Sequence, residues 1–76
     1  MIRWNVDVIR AHMERHGWEN ANQLAIGARL TAPVAARVLA GGPLERIEVA
    51  TLEHLAEAFR VKPWTLLEYA KDSARR

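Results

Sequence analysis

The pattern of apolar and polar residues is clearest between residues 20 and 42, where it predicts two short helices. Asn20 can cap the first of them, because its side-chain oxygen accepts a backbone N–H of the first turn. Gln23, three residues later, can bond the Asn20 amide in return and complete a capping box. Thr31 is the second cap, and Pro33 follows it in the first turn, where a missing N–H costs nothing. The predicted helices cover residues 21–28 and 32–40.

The second of these helices carries a one-sided apolar stripe. Ala35, Val38 and Leu39 have the i, i+3, i+4 spacing of residues that pack on one helical face. Gly41 and Gly42 then end the helix, because glycine adopts the left-handed conformation without strain. Two short helices joined by a corner of a few residues have the geometry of a helix-turn-helix.

The segment before this pair predicts another helix and a short extended piece. The helix begins at an Asn5 cap, ends at Gly17 and has an apolar stripe at Val6, Ile9 and Met13. Ile2–Trp4 alternates apolar and polar residues, which is typical of an extended segment. Its predicted partner is residues 47–49, which alternate in the same way.

The segment after the pair predicts two further helices. One covers about residues 49–59, with a buried face formed by Leu52, Leu55, Ala56 and Phe59. The other opens at Lys62–Pro63, with proline at the first helical position, and turns Leu66 and Leu67 inward. Five short helices joined by short corners make an all-α domain.

The composition fits one small domain. We expect the 76 residues to form a single unit, 1–76, ordered at about 2–70 and ending in a polar tail at 71–76. The chain has no cysteine, so disulfides and thiolate metal clusters are excluded. No apolar run approaches the ~20 residues of a membrane span, and the charged N-terminus is unlike a signal peptide. We therefore expect a soluble cytoplasmic protein with no membrane partner. The net charge of +2 permits nucleic-acid binding without arguing for it.

Several blocks of the sequence resemble one family over nearly the whole chain. RAHMERHGW leads into NQLA, TAPVAARVLAG follows, and RIEVATLEHLAEAFRVKPWTLLEY closes the match. These blocks are similar to helix-turn-helix domains of the Cro/CI repressor type, the xenobiotic-response-element (XRE) class. The resemblance implies a five-helix, λ-repressor-like fold with the helix-turn-helix in helices 2 and 3. It also implies a sequence-specific regulator of transcription that binds double-stranded DNA, a repressor that acts as a homodimer on a palindromic operator and is associated with the nucleoid.

The resemblance also implies which residues meet DNA. In this fold the third helix lies in the major groove, and ~100° per residue turns Ala32, Pro33, Ala36 and Arg37 away from the core. Arg37 alone can bond guanine O6 and N7 together, which is worth ~1–3 kcal/mol of discrimination. The other interpretation of Arg37 is a solvated surface charge. Phosphate contacts are expected from residues that flank this surface: Asn20, Asn22, Gln23, Arg29, Thr31, Gly42 and Arg46.

The chain departs from the family pattern at Arg29, at Leu39, where many members carry glutamate, and in a third helix that is short of hydrogen-bonding side chains. Arg29 stands where the family usually has glycine, so either Arg29 bears left-handed strain of order 1 kcal/mol or the turn changes and the helix ends at Gly27. The alanine-rich third helix and Arg29 keep a second function open, that of an antitoxin or another protein-interaction module with weak or no DNA binding. The acidic residues of the second half are expected away from the DNA face: Glu48, Glu53, Glu57 and Glu68.

The remaining candidates concern dimerisation and catalysis. Trp64 and Tyr69 are the predicted dimer surface, and the other interpretation of Trp64 is that it covers the domain's own core. His12 and His16 have i, i+4 spacing, but no third ligand follows at a usable distance, so neither a metal nor a cofactor is expected. His54 has no nucleophile to serve, and the chain has no phosphate-binding loop. We therefore do not expect an enzyme.

Overall fold

The computed structural model describes residues 2–42, 44 and 48–69. In chain order these residues form strand β1, helices α1 to α4, a 3₁₀ turn and strand β2. The elements are β1 (Ile2–Trp4), α1 (Val6–His16), α2 (Ala21–Ala28), α3 (Ala32–Ala40), α4 (Val49–Phe59), the 3₁₀ turn (Pro63–Leu66) and β2 (Leu67–Tyr69). The predicted bounds of the second, third and fourth helices are confirmed. Across the described ranges, none of these helices is long and apolar enough to cross a bilayer.

The predicted fifth helix is wrong. Proline does begin a helical turn, and the N–H and hydroxyl of Thr65 both bond the Lys62 carbonyl, at 3.0 and 2.7 Å. After this turn the chain extends into β2, which pairs antiparallel with β1 in the register Ile2↔Tyr69, Arg3↔Glu68, Trp4↔Leu67. The local apolar pattern cannot reveal this pairing, because the partner strand lies at the other end of the sequence.

The extended segment at the N-terminus is confirmed, but its predicted partner is wrong. Val49 begins α4, and Ile47 lies outside the described residues. Ile2 instead forms a bridge with Leu44, so β1 lies between Leu44 and β2. The sheet therefore joins residues 2–4 to residues 67–69 and to Leu44.

The N-terminal caps hold the helices as the sequence predicts, with one shift. The Asn5 side chain accepts the Val8 N–H at 3.3 Å, and the Asn20 side chain accepts the Gln23 N–H at 2.9 Å. The predicted return bond of the capping box is displaced by one residue, because Gln23 Oε1 accepts the Glu19 N–H rather than that of Asn20. The start of α2 is still tied down from both sides.

The helix ends divide into glycine and arginine types. Gly17 and Gly41 end α1 and α3 with φ of 76° and 97°, as predicted. Arg29 ends α2 with φ of 61°, so the alternative that α2 stops at Gly27 is wrong. Gly27 serves packing instead, because a Cβ there would lie 2.1 Å from Cζ2 of Trp18. The left-handed strain expected at the corner is therefore carried by Arg29.

The core places the helix-turn-helix on a fixed support. Helices α2 and α3 pack on each other, α2 also contacts α4, and α3 contacts α1. Ile9, Leu24, Leu55 and Leu66 are fully buried and come from four different elements. Burying such a side chain contributes about 1.5–3 kcal/mol, so these contacts dominate the stability of a domain of this size.

Candidate nucleic-acid interface

Helix α3 presents one face to solvent and the other to the core. Ala35 and Val38 are buried and Leu39 is half-buried. The four residues that the sequence predicts to face outward are all exposed: Ala32, Pro33, Ala36 and Arg37. The outer face of α3 therefore consists of small apolar side chains and one guanidinium that can bond a base edge.

Arg37 has an acidic neighbour that the sequence analysis placed elsewhere. Its Nη2 lies 3.4 Å from Oε2 of Glu48, and the other oxygen of that carboxylate accepts the Thr51 hydroxyl at 3.1 Å. The prediction that Glu48 lies away from the exposed face of α3 is therefore wrong. Glu53 and Glu57 lie on the exposed side of α4, and Glu68 pairs with Arg3 on the sheet.

The residues around the start of α2 keep donors that suit phosphate. Asn20, Asn22 and Gln23 are exposed, and capping uses only the side-chain oxygens of Asn20 and Gln23. Their NH₂ groups are separate donors, and phosphate oxygens only accept. Thr31 at the start of α3 also keeps a donor. Its oxygen accepts the Val34 N–H at 3.3 Å, and its hydroxyl hydrogen can still donate.

The corner between α2 and α3 is held by a residue from α4. Nδ1 of His54 lies 3.2 Å from the Ala28 carbonyl oxygen and 3.0 Å from that of Arg29. Carbonyl oxygens only accept, so Nδ1 is the nitrogen that carries the proton. No local sequence pattern marks this role, because the contact joins residues 25 and 26 positions apart. The Arg29 side chain is exposed beside this corner.

Two candidate phosphate contacts follow α3, and the structure describes one of them. Gly42 is exposed with φ of 104°, and an added Cβ would lie 3.1 Å from the Leu44 nitrogen. Arg46 lies outside the described residues. The chain can therefore turn at Gly42 with no side chain between its backbone and an approaching ligand.

The predicted dimer residues are both exposed. Trp64 in the 3₁₀ turn is 66% exposed and Tyr69 at the end of β2 is 73% exposed. The Trp64 ring lies 5.4 Å from the Lys62 ammonium rather than over the core. The structure thus favours an outward role for Trp64 over a cover for the domain's own interior.

The histidines of α1 stack on aromatic rings. The His12 ring lies 5.0 Å from Phe59 and the His16 ring 4.7 Å from Trp18, centroid to centroid. Burial against Phe59, and then the nearby charges of Arg15 and His16, lower the pKa of His12 below its usual 6.5. Within the part of the chain that the structure describes, no three metal-binding side chains cluster.

Comparison with known proteins supports this geometry. The sequence model of the Cro/C1-type HTH DNA-binding domain matches residues 8–72, from the first turns of α1 to beyond β2. No curated protein and no solved structure matches the chain. The match includes the helix-turn-helix formed by α2 and α3, together with the α1 and α4 contacts that support it. The chain belongs to the Cro/C1-type HTH DNA-binding domain family.

Proposed function

We propose that this DNA-binding regulator is a sequence-specific repressor that acts as a homodimer on a palindromic operator. The observation that carries the proposal is the exposed outer face of α3, where Arg37 stands among Ala32, Pro33 and Ala36. In a helix-turn-helix the second helix enters the major groove, and its outer side chains meet base edges. The activity proposed is binding alone, with no reaction and no cofactor. Such a regulator works in the cytoplasm, associated with the nucleoid.

The chemistry of that face predicts a modest direct readout. Arg37 can bond guanine O6 and N7, and the alanines and Pro33 offer apolar contact to thymine methyl groups. Donors at Asn20, Gln23 and Thr31 can bond phosphate oxygens on the flanking backbone, which sets the register of α3 without reading sequence. One strong base contact per domain gives limited specificity, so a second domain is needed.

A dimer doubles the number of DNA contacts. It also requires two half-sites at a fixed spacing, which adds to the specificity. Two-fold dimers of this class place their recognition helices one DNA turn apart, at about 34 Å. Trp64 and Tyr69 offer exposed aromatic area, the residue type enriched at protein interfaces. Sedimentation of the wild type and of Trp64→Glu tests this surface, because a charge in a buried interface should convert the dimer to monomer. A wild type that sediments as a monomer at all concentrations contradicts the dimer.

The experiment for the DNA site begins with selection of duplexes from a random pool. Wild type and Arg37→Ala are then titrated on the selected duplex and on single-base-pair variants, at about 50 and 200 mM salt. We expect Arg37→Ala to lose about 1–3 kcal/mol on the selected duplex and to relax preference at one base pair. Arg60→Gly is the matched control, since it removes an exposed positive charge at the other end of α4 from the Glu48–Arg37 pair.

Two outcomes of that titration redirect the proposal. An equal loss of affinity on every duplex would make Arg37 a phosphate contact. No salt-dependent duplex binding by the wild type would favour the alternative, a protein-interaction module such as an antitoxin. The observation that keeps this alternative is Ile26, a large apolar residue in the last turn of α2 that is 80% exposed. Exposed apolar patches mark protein-binding surfaces, and Ile26 belongs to the same helix-turn-helix as the alanines exposed on α3.

A further inference from the structure

We propose that Glu48 is a specificity-determining residue: its carboxylate holds one edge of the Arg37 guanidinium and repels DNA phosphate, which reserves Arg37 for a base. The inference rests on the proposed function, since it deepens the role of the same site. Two contacts carry it: Arg37 with Glu48 at 3.4 Å, and the Thr51 hydroxyl with Glu48 at 3.1 Å.

Glu48 occupies the cap position of α4, but its side chain does not cap the helix. Glu48 is the cap residue of α4, and its backbone carbonyl accepts the Leu52 N–H at 2.9 Å. A cap side chain normally accepts an N–H of the first helical turn, but the Glu48 carboxylate makes no such bond. It accepts the hydroxyl of Thr51 instead, and Thr51 is only 8% exposed. The second carboxylate oxygen is thereby directed at Arg37.

The contact with Arg37 is too exposed to be explained by stability. The two side chains are 61% and 48% exposed, and pairs of this kind contribute little to folding because water and salt screen them. We therefore expect the Arg37–Glu48 pair to affect DNA binding rather than folding stability.

The guanidinium has enough donors to serve two partners at once. It carries five N–H groups in a planar fork, and Glu48 contacts only Nη2. The remaining edge can bond guanine O6 and N7 while Glu48 fixes the plane, so less side-chain freedom is lost on binding. A phosphate approaching the same edge meets the Glu48 charge, whereas a neutral guanine does not bring a second anion. Glu48 thus weakens the competing contact more than the specific one, which is how specificity arises as a difference of affinities.

The test is Glu48→Gln, which keeps the shape and an oxygen for Thr51 and removes the charge. We expect affinity for non-specific duplex to rise roughly two- to fivefold at low salt, the range of one exposed charge interaction. Affinity for the selected duplex should rise less, so the ratio of specific to non-specific affinity falls. Thr51→Val, which releases the carboxylate but keeps its charge, should lower the same ratio by a smaller factor.

Two controls distinguish the proposed role of Glu48 from the general effect of removing a negative charge. Glu53→Gln makes the same charge change on the exposed side of α4 and should leave the ratio unchanged. In the Arg37→Ala background, Glu48→Gln should no longer change the ratio. The inference is overturned if Glu48→Gln raises both affinities equally, or if Glu53→Gln reproduces its effect. If the wild type binds no duplex in a salt-dependent way, the proposed function fails first, and the two failures are therefore distinguishable.

Discussion

Helices α2 and α4 end in the same local geometry but in different surroundings. Each ends in a left-handed arginine, Arg29 with φ 61° and ψ 46° and Arg60 with φ 59° and ψ 48°. The residue after each arginine closes the same kind of turn, with Leu30 N–H bonding the Ala25 carbonyl at 2.8 Å and Val61 N–H bonding that of Ala56 at 3.0 Å. Left-handed backbone costs a non-glycine residue about 1–2 kcal/mol, so both ends carry similar strain.

The surroundings differ in what holds each end. The α2 end is contacted by Trp18, whose ring lies against Gly27, and by His54, which bonds the carbonyls of Ala28 and Arg29. The α4 end is covered by aromatic rings on Phe59: His12 stacks at 5.0 Å, and His16 and Trp18 lie at 5.8 and 5.7 Å. Trp18 thus reaches both ends, and the difference is the His54 bond to the α2 end. The α2 end directs α3, the helix that meets DNA in this family, so its angle must be fixed by contacts from elsewhere. The α4 end only has to turn the chain, and an aromatic cover is sufficient.

The largest expected difference between the two ends comes from substitutions two residues before each arginine. A Cβ at Gly27 would lie 2.1 Å from Trp18 Cζ2, so Gly27→Ala must displace the indole and should cost about 1–3 kcal/mol of unfolding free energy. At the corresponding position in α4, Ala58→Gly should cost about 0.5–1 kcal/mol, the ordinary penalty of glycine in a helix. Urea denaturation measures both. A stabilising Gly27→Ala, as in an open helix, would contradict the Trp18 contact.

The next effect is the loss of the histidine bond at the α2 end. His54→Leu removes the donor to two carbonyls and should lower the unfolding free energy by about 1 kcal/mol. His54→Asn should recover much of this, because its side-chain NH₂ occupies the place of Nδ1. Glu53→Leu, on the exposed side of the same helix, is the matched control in the same urea titrations and should change stability little. Equal losses for His54→Leu and His54→Asn would show that packing, and not the bond, holds the corner.

Replacing the two arginines by glycine tests the strain itself. Arg29→Gly and Arg60→Gly should each raise stability by up to about 1 kcal/mol in urea denaturation, since glycine adopts this conformation freely. The two variants should differ in DNA binding. If the Arg29 side chain bonds a phosphate, Arg29→Gly lowers the slope of affinity against salt by about 1, whereas Arg60→Gly leaves it unchanged. Identical slopes for both variants would remove Arg29 from the phosphate-contacting set.

The sequence predicted most of what is local in this molecule. Three cap residues, the bounds of α2, α3 and α4, and the outer face of α3 follow from residue spacing and cap chemistry, which act within a few positions. The left-handed strain at Arg29 was one of two alternatives that followed from the family resemblance, not from the spacing. The roles of the candidate residues in binding DNA stay predictions.

What the sequence did not predict depends on contacts between distant positions. The 3₁₀ turn and β2 replace a fifth helix because β1 pairs with residues more than sixty positions away. His54 at the corner and Glu48 beside Arg37 were missed for the same reason. Both lie on exposed surface, where no apolar stripe indicates which element they face. The residues that adjust a site are thus harder to predict than the helices that carry it.

The smallest expected effect is a pH dependence at the α4 end. Burial against Phe59, and secondarily the charges of Arg15 and His16, lower the pKa of His12 below 6.5, so the folded protein binds this proton less readily than the unfolded chain. Stability from this group is therefore complete above 6.5 and declines as the pH falls through 6.5 toward the lowered value. His12→Phe keeps an aromatic ring against Phe59 and removes the titration. Urea denaturation at pH 7.5 and 5.5 should show a smaller loss in His12→Phe than in the wild type. Equal losses in both proteins would mean that His12 titrates alike folded and unfolded, and that the α4 end is less closely covered than its ring stack indicates.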